Sequence, residues 1–68
     1  MIGTFDIDRR RVELAIAERQ LSAIQLAKAA GLSRDSIRKA LKRGRARRLT
    51  IGKIAAALGV KPAEIVLP

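Results

Sequence analysis

The sequence predicts a single all-α domain of five short helices, and three observations carry that expectation. Of the 68 residues, 49 % are apolar, mostly Ala, Ile and Leu with Phe5 as the one aromatic; this composition suits close-packed helices and is poor for a strand-rich fold. Five times along the chain an apolar residue and a cap position are followed by a second apolar residue four places beyond the cap, the spacing of a hydrophobic staple. Gly31, Gly44 and Gly59 then stand where a left-handed residue ends a helix. At this length the core is small, near the size at which apolar burial only just offsets chain entropy.

Taken in order, residues 1–7 precede the first cap and are expected to be extended or partly frayed, with Phe5 and Ile7 alternating against Thr4 and Asp6. Ile7, Asp8 and Val12 open a helix near 8–19. Leu21, Ser22 and Leu26 open a second near 22–30, where Gln25 completes a capping box with Ser22. Leu32, Ser33 and Ile37 start the third, near 33–43, and Leu49, Thr50 and Ile54 the fourth, near 50–58. The caps Asp8, Ser22, Ser33 and Thr50 all carry side-chain oxygens that accept from first-turn amides. Val60, Lys61 and Ile65 mark a fifth helix near 61–66. Lys61 is a poor cap, but Pro62 suits a first helical position. Between the third and fourth helices, Gly44 to Arg48 is expected to be a mobile, arginine-rich loop.

Charge is concentrated on one stretch. The chain carries a net charge of +9, and residues 33–48 hold eight of its fifteen basic residues against one acid, Asp35. The other 52 residues hold seven basic residues and five acids, a net of only +2. Such a patch selects an anionic partner. With no Cys and no His, disulfides, thiol chemistry, zinc fingers and a Ser-His relay are excluded. Six scattered carboxylates offer no converging acid–base pair, so neither catalysis nor a metal or cofactor is expected. Apolar runs are short and broken by Lys or Gly, and the first eight residues do not resemble a signal peptide, so a soluble, cytoplasmic protein is expected. A membrane-surface helix over 33–48 lacks Trp or Phe and spends its apolar residues on the core. A single-strand binder would want aromatic platforms in the patch, and Phe5 lies outside it. No small-molecule ligand is evident; duplex nucleic acid and an acidic protein remain as partners, and the shape that carries the patch has to choose between them.

The second and third helices are joined by about three residues, a length that suits a helix-turn-helix corner. Ala27 and Ala30 allow close approach of the axes, Gly31 takes positive φ, and Leu32 and Ile37 return to the core. In these residues, LSAIQLAKAAGLSRDSIRKALKRG followed by LTIGKIAAALGVKPAEI, the chain resembles the lambda-repressor-like domain. This is the Cro and phage-repressor type of helix-turn-helix, also called the xenobiotic-response-element family. The resemblance covers about residues 8–66. Its most specific part is Leu26, Ala27, Gly31, Ser33 and Ile37 in that spacing, supported by Ala57-Leu58-Gly59-Val60. It implies a compact five-helix domain that binds operator DNA as a dimer with its third helix in the major groove. Three positions depart from the family pattern, and the spacing to Gly44 in LKRG is one residue longer than usual. Ala23 stands where many members carry a Gln that braces the DNA backbone. Ile16 and Leu41 replace a buried Arg–Glu pair, an exchange that removes the desolvation cost together with the charges.

With Ser33 as cap and Ile37, Ala40 and Leu41 inward, the third helix presents Arg34, Asp35, Arg38 and Lys42 outward, with Ser36 and Lys39 at the flanks. The resemblance places base contacts at Arg34, Asp35, Arg38 and Lys39, with Ser36 beside them. Arg donates twice to guanine and Asp accepts from the cytosine amino group. Two plainer readings stand beside this one: Asp35 complements the helix dipole, and Arg34 and Arg38 form a solvated face. Lys42, Arg43, Arg45, Arg47 and Arg48 are candidate phosphate contacts, joined by Ser22, Gln25 and Ser33 at or near the helix starts and by Lys28 through its side-chain charge. The resulting expectation is a nucleoid-associated repressor of prokaryotic or phage type, bound as a homodimer to a palindromic operator. Its dimer contact would use Glu64 to Pro68 and the exposed side of the fifth helix. An architectural role in excision, recombination or partition needs the same grip and is the alternative.

Overall fold

Side-chain oxygens start the first three helices. Asp8 accepts from the Arg11 N–H at 3.2 Å. Ser22 and Gln25 cap reciprocally, the Gln25 N–H donating to Ser22 at 3.1 Å and the Ser22 N–H to the Gln25 side chain at 2.8 Å. Ser33 accepts from the Ser36 N–H at 3.0 Å. The computed structural model describes residues 3–68. Its order is β1 (Thr4–Asp6), α1 (Arg9–Glu18), α2 (Ala23–Ala30), α3 (Arg34–Arg43), β2 (Arg45–Arg47), α4 (Arg48–Leu58) and a 3-10 turn at Pro62–Glu64. Gly31, Gly44 and Gly59 all close their helices at φ between +69° and +74°. At Gly31 this lets the Leu32 N–H return to the Ala27 carbonyl at 2.9 Å, which makes the α2–α3 corner.

Three expectations are corrected. The stretch after Gly44 is not a mobile loop. Arg45–Arg47 is a strand paired antiparallel with β1, in the register Thr4 with Arg47, Phe5 with Ala46 and Asp6 with Arg45. Thr4–Asp6 is extended, one of the two states expected of it, and paired rather than frayed; Met1 and Ile2, part of the same expectation, lie outside the described residues.

The fourth helix begins at Arg48 instead of Thr50. Its cap, Arg47, makes no side-chain capping bond, and the Leu49–Ile54 staple is not formed, because Leu49 is 75 % exposed while Ile54 is buried. The ladder explains this: it holds residues 45–47 extended, and the Arg48 N–H donates to the Gly3 carbonyl at 3.2 Å, so helical geometry starts at the first residue past the strand.

The fifth helix is a single 3-10 turn, which leaves four α-helices and a two-stranded sheet among the described residues. After that turn the chain is drawn to the other edge of β1. Asp8 donates to the Ile65 carbonyl at 2.8 Å, Leu67 donates to the Asp6 carbonyl at 2.9 Å, and Val66 bridges Ile7. Backbone groups spent on that edge are not free for helical bonds.

The core gathers Ile7, Val12, Leu26, Ile37, Ile51, Ile54, Leu58 and Ile65 with small Ala residues between them. Helix α4 is its axis, packing on α2, both strands and the 3-10 turn, while α3 packs on α2 and β2. Ile16 and Leu41 are half-buried against this cluster, as two apolar replacements for an ion pair should be. Phe5 departs from the alternation expected of it: Ile7 is buried, but Phe5 remains 46 % exposed.

Leu58→Ala should cost roughly 2–5 kcal/mol, as large core truncations do, a major share of a small domain's total. Leu49→Ala should stay within about 0.5 kcal/mol. Urea unfolding midpoints read the difference, and equal midpoints would contradict this packing.

Candidate nucleic-acid interface

Helix α3 is short, capped and strongly two-sided. Ile37 and Ala40 are buried, whereas Arg34, Asp35, Ser36, Arg38, Lys39, Lys42 and Arg43 are exposed. Helical spacing sorts the exposed side into two rows, Arg34, Arg38 and Lys42 in one and Asp35, Lys39 and Arg43 in the other.

Asp35 links the rows. Its carboxylate accepts from the Arg38 guanidinium at 2.9 Å and lies 3.5 Å from the Lys39 ammonium. The Lys39 charge, then the Arg38 hydrogen bond, hold the Asp35 carboxyl below its ordinary value. Because the cluster is exposed, salt screens it, and its contribution to stability is small. Its effect is orientational, since one carboxylate sets the direction of two cations. Ser36 is engaged as well: its hydroxyl accepts from the Ser33 hydroxyl at 2.9 Å, and its amide is tied to the same cap. Among the described residues, Arg34, Lys42, Arg43, Arg45, Arg47 and Arg48 form no ion pair.

The sheet carries the surface beyond the helix. Directly opposed residues of an antiparallel pair share a face, so Arg45 and Arg47 stand with Asp6 and Thr4, while Ala46 and Phe5 take the reverse face. Ala46 is buried there, which turns both arginines outward. Between this ribbon and α3 runs a cleft in which Lys39, Arg43, Arg45 and Arg47 meet the side chains of Thr4, Ser36 and Thr50. Four cations and three hydroxyls along one trough supply both charge and hydrogen bonds for the oxygens of a polyanion backbone.

Of the sequence-predicted residues, the structure therefore joins Ser36, Lys39, Arg43, Arg45 and Arg47 in one cleft. Arg34, Asp35, Arg38 and Lys42 lie beside it on the exposed side of α3, and Arg48 lies past it at the start of α4. Ser22, Gln25 and Lys28 sit on α2 outside the cleft, and Ser33 is occupied with capping α3. The Gln25 side-chain carbonyl is used by the Ser22 N–H, so its amide N–H groups are what it offers outward.

Three contributors were missed by sequence reasoning, one of them Thr50, which was read only as a helix cap and lines the cleft. Thr4 reaches the cleft only through the strand register, for which local sequence holds no signal. Arg9, the first residue of α1, runs beside the end of α3: its Cδ lies 3.9 Å from where a Cβ on Gly44 would be. The Arg9-Arg10-Arg11 run was visible, but its nearness to Gly44 was not. No group of three or more His, Cys, Asp and Glu side chains is placed to hold a metal ion among the described residues. No helix among them is long and apolar enough to cross a membrane.

Comparison with known proteins agrees with this geometry. The family model for the Cro/C1-type HTH DNA-binding domain matches residues 11–66, a span from within α1 through the 3-10 turn. No curated protein and no solved structure gives a significant match to the chain. The matched span covers most of the sequence and contains the α2–α3 corner, and the chain belongs to the family of Cro/C1-type HTH DNA-binding domains.

Proposed function

We propose that the chain is a sequence-specific binder of double-stranded DNA that acts as a transcriptional repressor, with α3 seated in the major groove of a palindromic operator. The observation that carries this reading is the continuity of the basic surface. The outer rows of α3 pass directly into the cleft that ends on Arg45 and Arg47.

In this arrangement Arg34, Asp35, Ser36, Arg38 and Lys39 face base edges. Arg34 has no carboxylate partner among the described residues and is the strongest candidate for bidentate contact with guanine. Lys42, Arg43, Arg45, Arg47 and Arg48 follow one phosphate backbone. Arg9 adds to that row from α1. Ser22, Gln25 and Ser33 hold the other backbone through helix-start amides and short polar side chains, and Lys28 adds a charge from the last turn of α2.

Asp35 supports discrimination in two ways: it keeps Arg38 and Lys39 in fixed directions, and it repels a phosphate or an acceptor edge placed against it. Two copies bind an inverted repeat, one per half-site, about 34 Å apart. Ile65 belongs to the core and Val66 to the strand bridge, so of the segment expected to pair, Leu67 is the bulky apolar side chain left exposed. The duplex, more than a protein contact, is what brings the copies together. Such a protein works where the genome is, at the nucleoid.

Selection from random duplexes is the decisive test. Wild type should enrich a defined half-site, Arg34→Ala should lose the preference, and Arg47→Ala should weaken all duplexes about equally. A flat enrichment for wild type would exclude the regulator and leave an architectural role. If six or more phosphates are engaged, affinity should drop by roughly a thousandfold between about 50 and 200 mM salt.

Asp35→Asn should raise affinity for non-specific duplex and steepen the salt slope by about one phosphate equivalent, while narrowing the gap between specific and non-specific sites. The sign with pH follows from the depressed carboxyl. Whatever stability the Asp35 cluster contributes is present above the ordinary carboxylate range and is lost as pH falls through the depressed value. An NMR titration in which Asp35 protonates no lower than the other exposed acids would remove the cluster from this account. Sedimentation should show monomers without DNA and two chains on an inverted-repeat duplex; a one-to-one complex under all conditions would rule out pairing.

A further inference from the structure

The reverse face of the ribbon leaves bulky apolar side chains uncovered. Phe5 is the only aromatic residue of the chain and lies half outside the core, and Leu49 is exposed because α4 begins one residue before it. Both line a groove of about 710 Å³ whose other apolar walls include Ile51 and Val66. Arg48 and Lys53 stand at its edge, and an adjoining hollow adds Arg47. No carboxylate lines either one. Arg47, Arg48 and Lys53 form no ion pair among the described residues.

An exposed apolar groove rimmed by polar residues marks an interaction surface, and the charge of this rim selects the partner. A second copy docked groove to groove would meet its own patch across a two-fold axis. That contact would crowd three cations from each chain with no acid between them, on molecules already at +9. A segment bearing carboxylates beside bulky apolar side chains satisfies both the walls and the rim.

We propose that this groove docks a short acidic, apolar segment of another protein, and that the docked segment competes with DNA for Arg47. Arg47 lines both the hollow beside the groove and the cleft between α3 and the ribbon. A partner carboxylate on its guanidinium therefore displaces a phosphate. The docking stands on the groove alone; only the competition rests on the proposed DNA binding.

The probe is a fluorescein-labelled synthetic peptide built of Leu, Phe and Asp. One control peptide carries Asn for every Asp, and a second carries Ser for every Leu and Phe. Anisotropy should saturate with wild-type protein and weaken roughly tenfold with Leu49→Ser, the loss expected for one buried apolar side chain. It should weaken at least as much with either control peptide. Leu49 is exposed, so the variant keeps its fold, which circular dichroism verifies. Unlabelled peptide should release a bound duplex from wild type and require roughly tenfold more to do so from Leu49→Ser.

Equal binding to Leu49→Ser, or equal binding of the Ser control, would reduce the effect to adsorption of a polyanion and overturn the docking. No binding at all would do the same. Self-association of wild type that Leu49→Ser abolishes would assign the groove to a second copy. Peptide binding without release of duplex would overturn the competition. A peptide bound through Leu49 by a protein with no affinity for any duplex would leave the docking intact and remove the DNA reading, so the two failures are distinguishable.

Discussion

The pairing of β1 with β2 is the constraint on which the rest of the molecule depends. It is short: the Ile7 N–H donates to the Gly44 carbonyl at 2.8 Å and the Arg48 N–H to the Gly3 carbonyl at 3.2 Å, bracketing three residue pairs. An isolated two-stranded ribbon is marginal in water. This one is supported from both sides, because Ala46 and Ile7 enter the core and the residues after the 3-10 turn bond to the far edge of β1. In turn it sets where α3 ends, where α4 begins and which way Arg45 and Arg47 point. Without it the basic cleft would be an assortment of charges on a loose connection.

The charge on that surface opposes the fold that displays it. Eight cations within sixteen residues repel one another, and a domain this small holds only a modest reserve of stability. Part of the repulsion is relieved internally, where Asp35 draws in Arg38 and Lys39. The remaining cations of this stretch are exposed on a helix, a strand and the helix that follows, and Arg43, Arg45 and Arg47 share one cleft. A polyanion bound along the cleft would supply the missing counter-charge and, by binding the folded chain, would add to its stability.

The ribbon has two working faces because strand side chains alternate. One face carries Arg45 and Arg47 toward the cleft; the other carries Ala46 into the core and Phe5 toward the apolar groove. Arg47, at the edge where the strand becomes α4, lies on both surfaces, as does Thr50. A three-residue strand thus places a basic row and an apolar groove back to back.

What the sequence determined by itself was local. The caps at Asp8, Ser22 and Ser33, the capping box, the left-handed glycines and the inward side of α3 all involve residues within about one turn of each other, where spacing alone fixes geometry. The α2–α3 corner and the outward set on α3 were legible for that reason. What only the tertiary structure decided was the meaning of the segments between and after the helices. Arg45–Arg47 reads locally as a flexible arginine run and becomes a strand because Thr4–Asp6, far away in the chain, supplies hydrogen-bond partners and the core accepts Ala46. Thr50 is a competent cap that goes unused, since the ladder ends at Arg47 and starts the helix early. The last apolar residues read as a helix and are diverted to the edge of β1. In each case a long-range hydrogen bond or a buried methyl group outweighed a local preference worth about 1 kcal/mol or less.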